Sequence, residues 1–182
     1  TGETRESTCD LSSGALTLDT PLTLTKDATS ISLTYPSAMV IDQPSKNAII
    51  LATSQTVLEK DFSIVPTMDT NEAAISIALT TLDELAIEQV EGMESARQVM
   101  EGFVEFLKEV DLTLDGAIID TFAGEYPAAA AYFTNASGDV LIITAQVTPD
   151  LYVVFIVISA PYEIALIEST VYDMANTLIS PE

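Results

Sequence analysis

Residues 140–160 read VLIITAQVTPDLYVVFIVISA, and this stretch limits the folds open to the chain more than any other. It is nearly long enough to cross a bilayer as one helix. Thr148-Pro149-Asp150, however, stands in its middle. Proline removes a backbone donor there, and aspartate is costly in hydrocarbon. Two buried strands joined by a tight turn fit the pattern, and a transmembrane helix does not. The second run, LYVVFIVI, is apolar on both parities, which predicts a central strand covered on both faces.

Segments 116–122 and 127–134 carry the same strand signal, so with 140–147 and 151–158 the chain offers four strands in succession. The connections between them are short: Gly124-Glu125-Tyr126, Asn135 to Asp139, and Thr148 to Asp150. Short connections require antiparallel neighbours, hence a meander. Further upstream, Leu16, Leu18, Leu22 and Leu24 alternate with threonines in a strand interrupted by Pro21. Ile31, Leu33 and Tyr35 repeat the alternation up to Pro36, the run AIILAT at 48–53 reads as a central strand, and Ile75, Ile77 and Leu79 alternate again.

Helical spacing appears three times. Thr81-Leu82-Asp83-Glu84 has the form of a capping box, opening a short helix through Leu82, Ala86, Ile87 and Val90 that Gly92 ends. Ser95-Ala96-Arg97-Gln98 is a second such box, followed by one apolar stripe: Ala96, Val99, Met100, Phe103, Leu107 and Val110. Ser159-Ala160-Pro161 starts a final helix carrying Ile164, Ile167, Val171, Met174 and Leu178. The fold class expected is α+β: an antiparallel β-sheet flanked by two amphipathic helices. Residues 1–14, TGETRESTCDLSSG, lack apolar periodicity and read as a disordered leader or tether, leaving one domain over 15–182.

Charge narrows the function classes. The 182 residues hold 28 acidic and 6 basic side chains, a net charge of −22. That field repels nucleic acid and anionic lipid, and favours cationic proteins and divalent ions. No histidine is present. Ser-His-Asp and Cys-His catalysis, and imidazole-ligated zinc or haem, are therefore excluded. There is no P-loop and no GxGxxG. Cys9 is the only cysteine, so no intrachain disulfide can form. Glu6-Ser7-Thr8 before it is a poor lipobox, which places the expected signal or anchor upstream, removed, and Cys9 as an inert leader residue, with an intermolecular disulfide as the alternative. The chain is expected to be extracytoplasmic, secreted or membrane-anchored through that signal.

Carboxylates are the chemistry left. A carboxylate-only hydrolase is one reading, although the chain has no Trp to stack against sugars. Calcium takes six to eight oxygens and no nitrogen. Asp69-Thr70-Asn71-Glu72 gathers oxygen-bearing side chains between two strands, making Asp69, Asn71 and Glu72 the candidate metal ligands; the alternative is a polar turn. Asn135 to Asp139 reads as a hairpin turn that contains an N-x-S sequon. Asp83, Glu84, Glu88, Glu91 and Glu94 form either a solvated helix face or a docking surface for a cationic partner. Tyr126, Tyr132, Tyr152, Tyr162 and Tyr172 are candidate interface aromatics, although Tyr132 and Tyr152 lie in strands and read first as core or rim packing.

The order of elements, strands then helix then meander then helix, resembles the PsbP-like family. Ser32-Leu33-Thr34-Tyr35-Pro36 is similar to its early strand ending in an aromatic-Pro pair, and Gly124-Glu125-Tyr126-Pro127-Ala128 to the turn opening its central strand. Val140 to Ile158, closed by a helix, resembles its terminal hairpin. The resemblance implies an α/β/α sandwich over roughly residues 15–180 and an extracytoplasmic binding or assembly module, as in bacterial lipoproteins of this type. It carries no catalytic signature. The function expected is a non-enzymatic module engaging a protein partner at the cell envelope, without a cofactor unless calcium fills the Asp69–Glu72 loop.

Overall fold

The computed structural model describes residues 9–11, 14, 16–62, 65–81, 83–84 and 95–180. Strand β9 (Leu151–Ser159) lies at the centre of a seven-stranded sheet. It pairs antiparallel with β5 (Ala73–Thr81) on one side and β8 (Gly138–Thr148) on the other. Beyond β8 follow β7 (Tyr126–Asn135) and, at one edge, β6 (Thr113–Ala123). Beyond β5 follow β4 (Ala48–Ala52) and, at the other edge, β3 (Val40–Ser45). β1 (Thr20–Lys26) and β2 (Thr29–Tyr35) form a separate antiparallel hairpin.

The period-two alternation of β9 sorts its side chains into two cores. Leu151, Val153, Phe155 and Val157 face the first core, together with Ile75, Ile77 and Leu79 of β5 and Leu141 and Ile143 of β8. Helix α3 (Ile164–Asn176) covers this core with Ile167, Val171, Met174 and Ala175, beside Leu24, Ile31 and Leu33 of the β1–β2 hairpin. Tyr152, Val154 and Ile158 face the second core, under Val99, Met100, Phe103 and Leu107 of helix α2 (Ala96–Lys108) and Val57 of the one-turn helix α1 (Gln55–Leu58). Ser95 caps α2 by accepting the Gln98 N–H at 3.3 Å, as its capping box predicts. β7 meets both cores with the run Ala128–Ala131, so a helix can approach it closely on either side.

The fold is thus a mostly antiparallel sheet with a few helices, and its layering matches the expected sandwich only in outline. One face is shared between α3 and a β-hairpin rather than covered by a helix alone. Ser32 and Ile179 exchange backbone hydrogen bonds of 2.8 and 2.9 Å, tying that hairpin to the chain beyond α3. Other differences have local causes. Leu16 and Leu18 alternate yet lie outside β1; the Leu16 N–H is taken by Thr170 Oγ1 at 3.0 Å instead of a ladder partner. The run at 48–53 forms β4, one place in from the edge, because the polar, Pro44-containing segment Val40–Ser45 pairs outside it. α3 starts at Ile164 rather than at Ser159–Pro161, since Tyr162 has φ 64°, which no right-handed helix admits. The expected helix through Leu82–Val90 falls largely outside the described residues.

Gly138 opens β8 where an added Cβ would lie 2.3 Å from the Ser159 carbonyl oxygen on β9. Two backbones cannot part there without breaking the central pairing. Gly138→Ala is therefore expected to cost about 1–3 kcal/mol, read as a lowered urea midpoint.

Candidate binding surface

The predicted metal-binding loop lies at the end of the sheet where β5 begins. Asn71 takes φ 65°, a left-handed conformation that Asn tolerates better than most residues. The Glu72 N–H donates to the Asp69 carbonyl at 3.0 Å, closing a turn, and the Asp69 N–H donates to Glu72 Oε1 at 2.6 Å. Lys60 Nζ stands 3.6 Å from the same Glu72 oxygen. The Asn71 amide is also committed: Oδ1 accepts the Leu11 N–H at 2.9 Å, and Nδ2 donates to the Cys9 carbonyl at 3.3 Å. Asn71 Oδ1 and Glu72 Oε1 therefore already face backbone and lysine donors. Among the described residues no group of three or more His, Cys, Asp or Glu is placed to hold a metal ion.

That clasp fastens a segment the sequence places in the tether. Cys9 and Leu11 are 4% and 2% exposed and belong to the first core, and the Cys9 N–H donates to the Thr53 carbonyl at 2.9 Å. The expected disordered leader over residues 1–14 thus gives way at Cys9–Leu11, because two apolar side chains spaced by two reach the core together. Burial, followed by the neighbouring Asp10 charge, pushes the Cys9 thiol pKa above its ordinary value. Such a thiol is poorly nucleophilic.

The same end of the molecule presents Tyr162. Its side chain is 97% exposed, and its backbone N–H is held by Asp139 Oδ2 at 2.8 Å. Next to it, Glu163 Oε2 accepts the Asn71 N–H at 2.9 Å. The other tyrosines divide by position. Tyr152 is buried, while Tyr132, at the α3 face of β7, donates to Glu168 Oε2 at 2.8 Å and lies 3.3 Å from the Tyr172 hydroxyl. Desolvation, then the bonds to Tyr172 and Glu168, raise the Tyr132 pKa, so this phenol stays protonated. Tyr126 is half-buried against the first core.

Asp19 and Glu84 both have lowered pKa values. Asp19 accepts the Ser37 hydroxyl at 2.6 Å and the Ser37 N–H at 2.8 Å, which favours its ionised form. Glu84 is lowered by Lys26 and then by the Thr80 hydroxyl. A general acid needs the opposite displacement. Of the acidic series on the expected helix, Glu88, Glu91 and Glu94 lie outside the described residues; Glu84 is spent on Lys26.

No family model and no curated protein matches the chain. Solved structures do. The solution structure of cyanobacterial PsbP (CyanoP) from Synechocystis sp. PCC 6803 is similar at 10% identity, covering 92% of this chain and 96% of that one, with a TM-score of 0.52. A Pseudomonas aeruginosa protein of unknown function is similar at 11% identity over 90% and 99%, with a TM-score of 0.48. The chain has a PsbP-like fold, and at this identity the likeness is one of fold alone. No helix among the described residues is long and apolar enough to cross a membrane.

Asn71→Gly keeps the turn conformation and removes the clasp. It is expected to cost about 1–3 kcal/mol, the penalty for leaving buried backbone groups unpaired, and to speed the reaction of Cys9 with a thiol reagent in the native protein. Wild-type Cys9 is expected to react only on unfolding.

Proposed function

We propose that the chain is a non-enzymatic, extracytoplasmic binding module whose partner is a cationic protein. The observation that carries this reading is the unbalanced charge of the surface. Of the 6 basic side chains, Lys26, Lys60, Arg97 and Lys108 each already sit within ion-pair distance of a carboxylate, against 28 acidic groups. The remaining negative field is free to steer a basic partner and to reject nucleic acid and anionic lipid. The PsbP-like fold is compatible with such a module. The lowered pKa values of Asp19 and Glu84 give no support to a carboxylate hydrolase.

Affinity capture from the source organism's extracytoplasmic fraction tests the reading. A basic protein retained in stoichiometric amount at low ionic strength, and released at about 0.5 M salt where charges are screened within a few ångströms, is the expected result. Absence of any stoichiometric partner, with hydrolysis of a model ester or glycoside instead, would overturn it. Calcium is tested separately. Because Asn71 and Glu72 are engaged, millimolar calcium is expected to move the Tm no further than magnesium does. A site filled at about 100 times its Kd would add roughly 2.7 kcal/mol, so a calcium-specific rise of several degrees would move the ion to the centre of the function.

A further inference from the structure

We propose that the outer edge of β6 at Asp120–Phe122 is a strand-acceptor site for an extended cationic segment of the partner protein. This rests on the binding-module reading and names its docking surface.

The direction of each backbone group on β6 follows from the register. β6 and β7 are joined through Gly124-Glu125, with Ala123 opposite Tyr126, Thr121 opposite Ala128 and Ile119 opposite Ala130. In a two-residue hairpin the flanking pair exchanges hydrogen bonds, and bonded pairs then alternate. Ala123, Thr121 and Ile119 therefore point their N–H and C=O groups into the sheet. Phe122, Asp120 and Ile118 point theirs outward. The β7–β8 hairpin gives the same answer independently: Asn135 opposes Gly138 across Ala136-Ser137, which turns Ala129, Ala131 and Phe133 toward β8.

Open edges invite pairing, and proteins guard them with charges, prolines and bulges. The opposite edge, β3, carries Asp42, Pro44 and a register break between Asp42 and Ser45. The first half of β6 is guarded as well. Its register breaks between Asp115 and Ile119, with Gly116 at φ 84°, and Arg97 Nη1 donates to the outward Ile118 carbonyl at 3.3 Å. Past Ile119, no proline and no register break interrupts this edge among the described residues. Asp120 and Phe122 offer two outward N–H and two outward C=O groups in one ladder repeat. Phe122 is 66% exposed on the α2 side of this segment, and Ile119 is 47% exposed on the α3 side. A paired strand would cover both.

Charge selects the occupant. Asp120 lies in the segment, Asp115 and Glu125 lie to either side of it in the chain, and Glu101 of α2 is linked to it through Arg97. Arg97 is already held by Glu101 at 3.7 Å and Asp120 at 3.1 Å. A strand alternating Lys or Arg with aliphatic residues matches this edge, with backbone bonds providing affinity and the cations providing selectivity. A second copy of the chain would bring another net charge of −22 to the same place.

The probe is acetyl-Lys-Val-Lys-Val-Lys-Val-Lys-amide, titrated into the 15N-labelled protein. Controls are its Glu-for-Lys counterpart and a version N-methylated on alternate residues, which cannot donate along one edge. The expected result is amide shifts centred on Asp120 and Phe122 with the Lys peptide alone. Phe122→Lys should weaken binding by about tenfold or more, in the range of a lost aromatic contact. Gln43→Lys makes the same charge change on β3 and should leave binding unaltered. Well-dispersed spectra of both variants show that each is folded. Shifts spread over the whole acidic surface, or equal binding of the N-methylated peptide, would overturn the proposal in favour of charge attraction alone. A concentration-dependent dimer with protected β6 amides would overturn it in favour of a second copy. If Phe122→Lys still captures the partner that wild type captures, the edge assignment falls while the binding-module reading stands; if wild type neither captures a partner nor binds the peptide, both fall.

Discussion

The burial of β9 on both faces and along both edges is the constraint on which the rest of the molecule depends. A strand with apolar side chains on both parities can be satisfied only between two layers, with a neighbour on each side. Tyr152 and Phe155, one on each face, are fully buried. The first core must then recruit α3 and the β1–β2 hairpin, and the second must recruit α2 with the α1 segment. Even the short contacts at the sheet's end, Gly138 against Ser159 and the Thr53 hydroxyl bound to the Ala73 N–H, hold neighbours in register with this strand.

The parts of this architecture that were legible in the sequence share a physical origin. The meander could be read because each strand is an apolar run or alternation bounded by turn residues, and each connection is too short for any but an antiparallel return. α2 could be read because its cap and its stripe agree. What was not legible involved residues whose partners are distant. Cys9 and Leu11 sit in a polar context and look like tether; they are buried because Asn71 and Thr53, far along the chain, receive their backbone. β3 is an edge strand whose Pro44 and exposed polar residues carry no burial signal. The start of α3 is set by the positive φ of Tyr162, which depends on Asp139 across a hairpin.

The candidate site shows the same division. Composition foresaw a chain rich in oxygen ligands, and Asp69, Asn71 and Glu72 do share one turn. Two of these side chains have structural duty: Asn71 clasps the Cys9–Leu11 segment, and Glu72 receives a backbone N–H and faces Lys60. No local pattern distinguishes an amide that will bind an ion from one that will bind a backbone. The β6 edge was foreseen as a strand but not as an edge, because strand order is a property of the assembled sheet.

The central place of β9 also governs when the sheet can form. Its ladder with β5 pairs Ala73 with Ser159, and the two strands are separated in the chain by the whole of α2 and the three strands β6, β7 and β8. Closing so long a loop has an entropic cost that precedes any gain from pairing, which places such topologies among the slower folders. During synthesis from the N-terminus, β5 and β8 each wait with an apolar flank open until the final strand arrives. The β5 and β8 edges can be joined only once Leu151–Ser159 has been made, and a truncation before Leu151 would leave two open apolar edges.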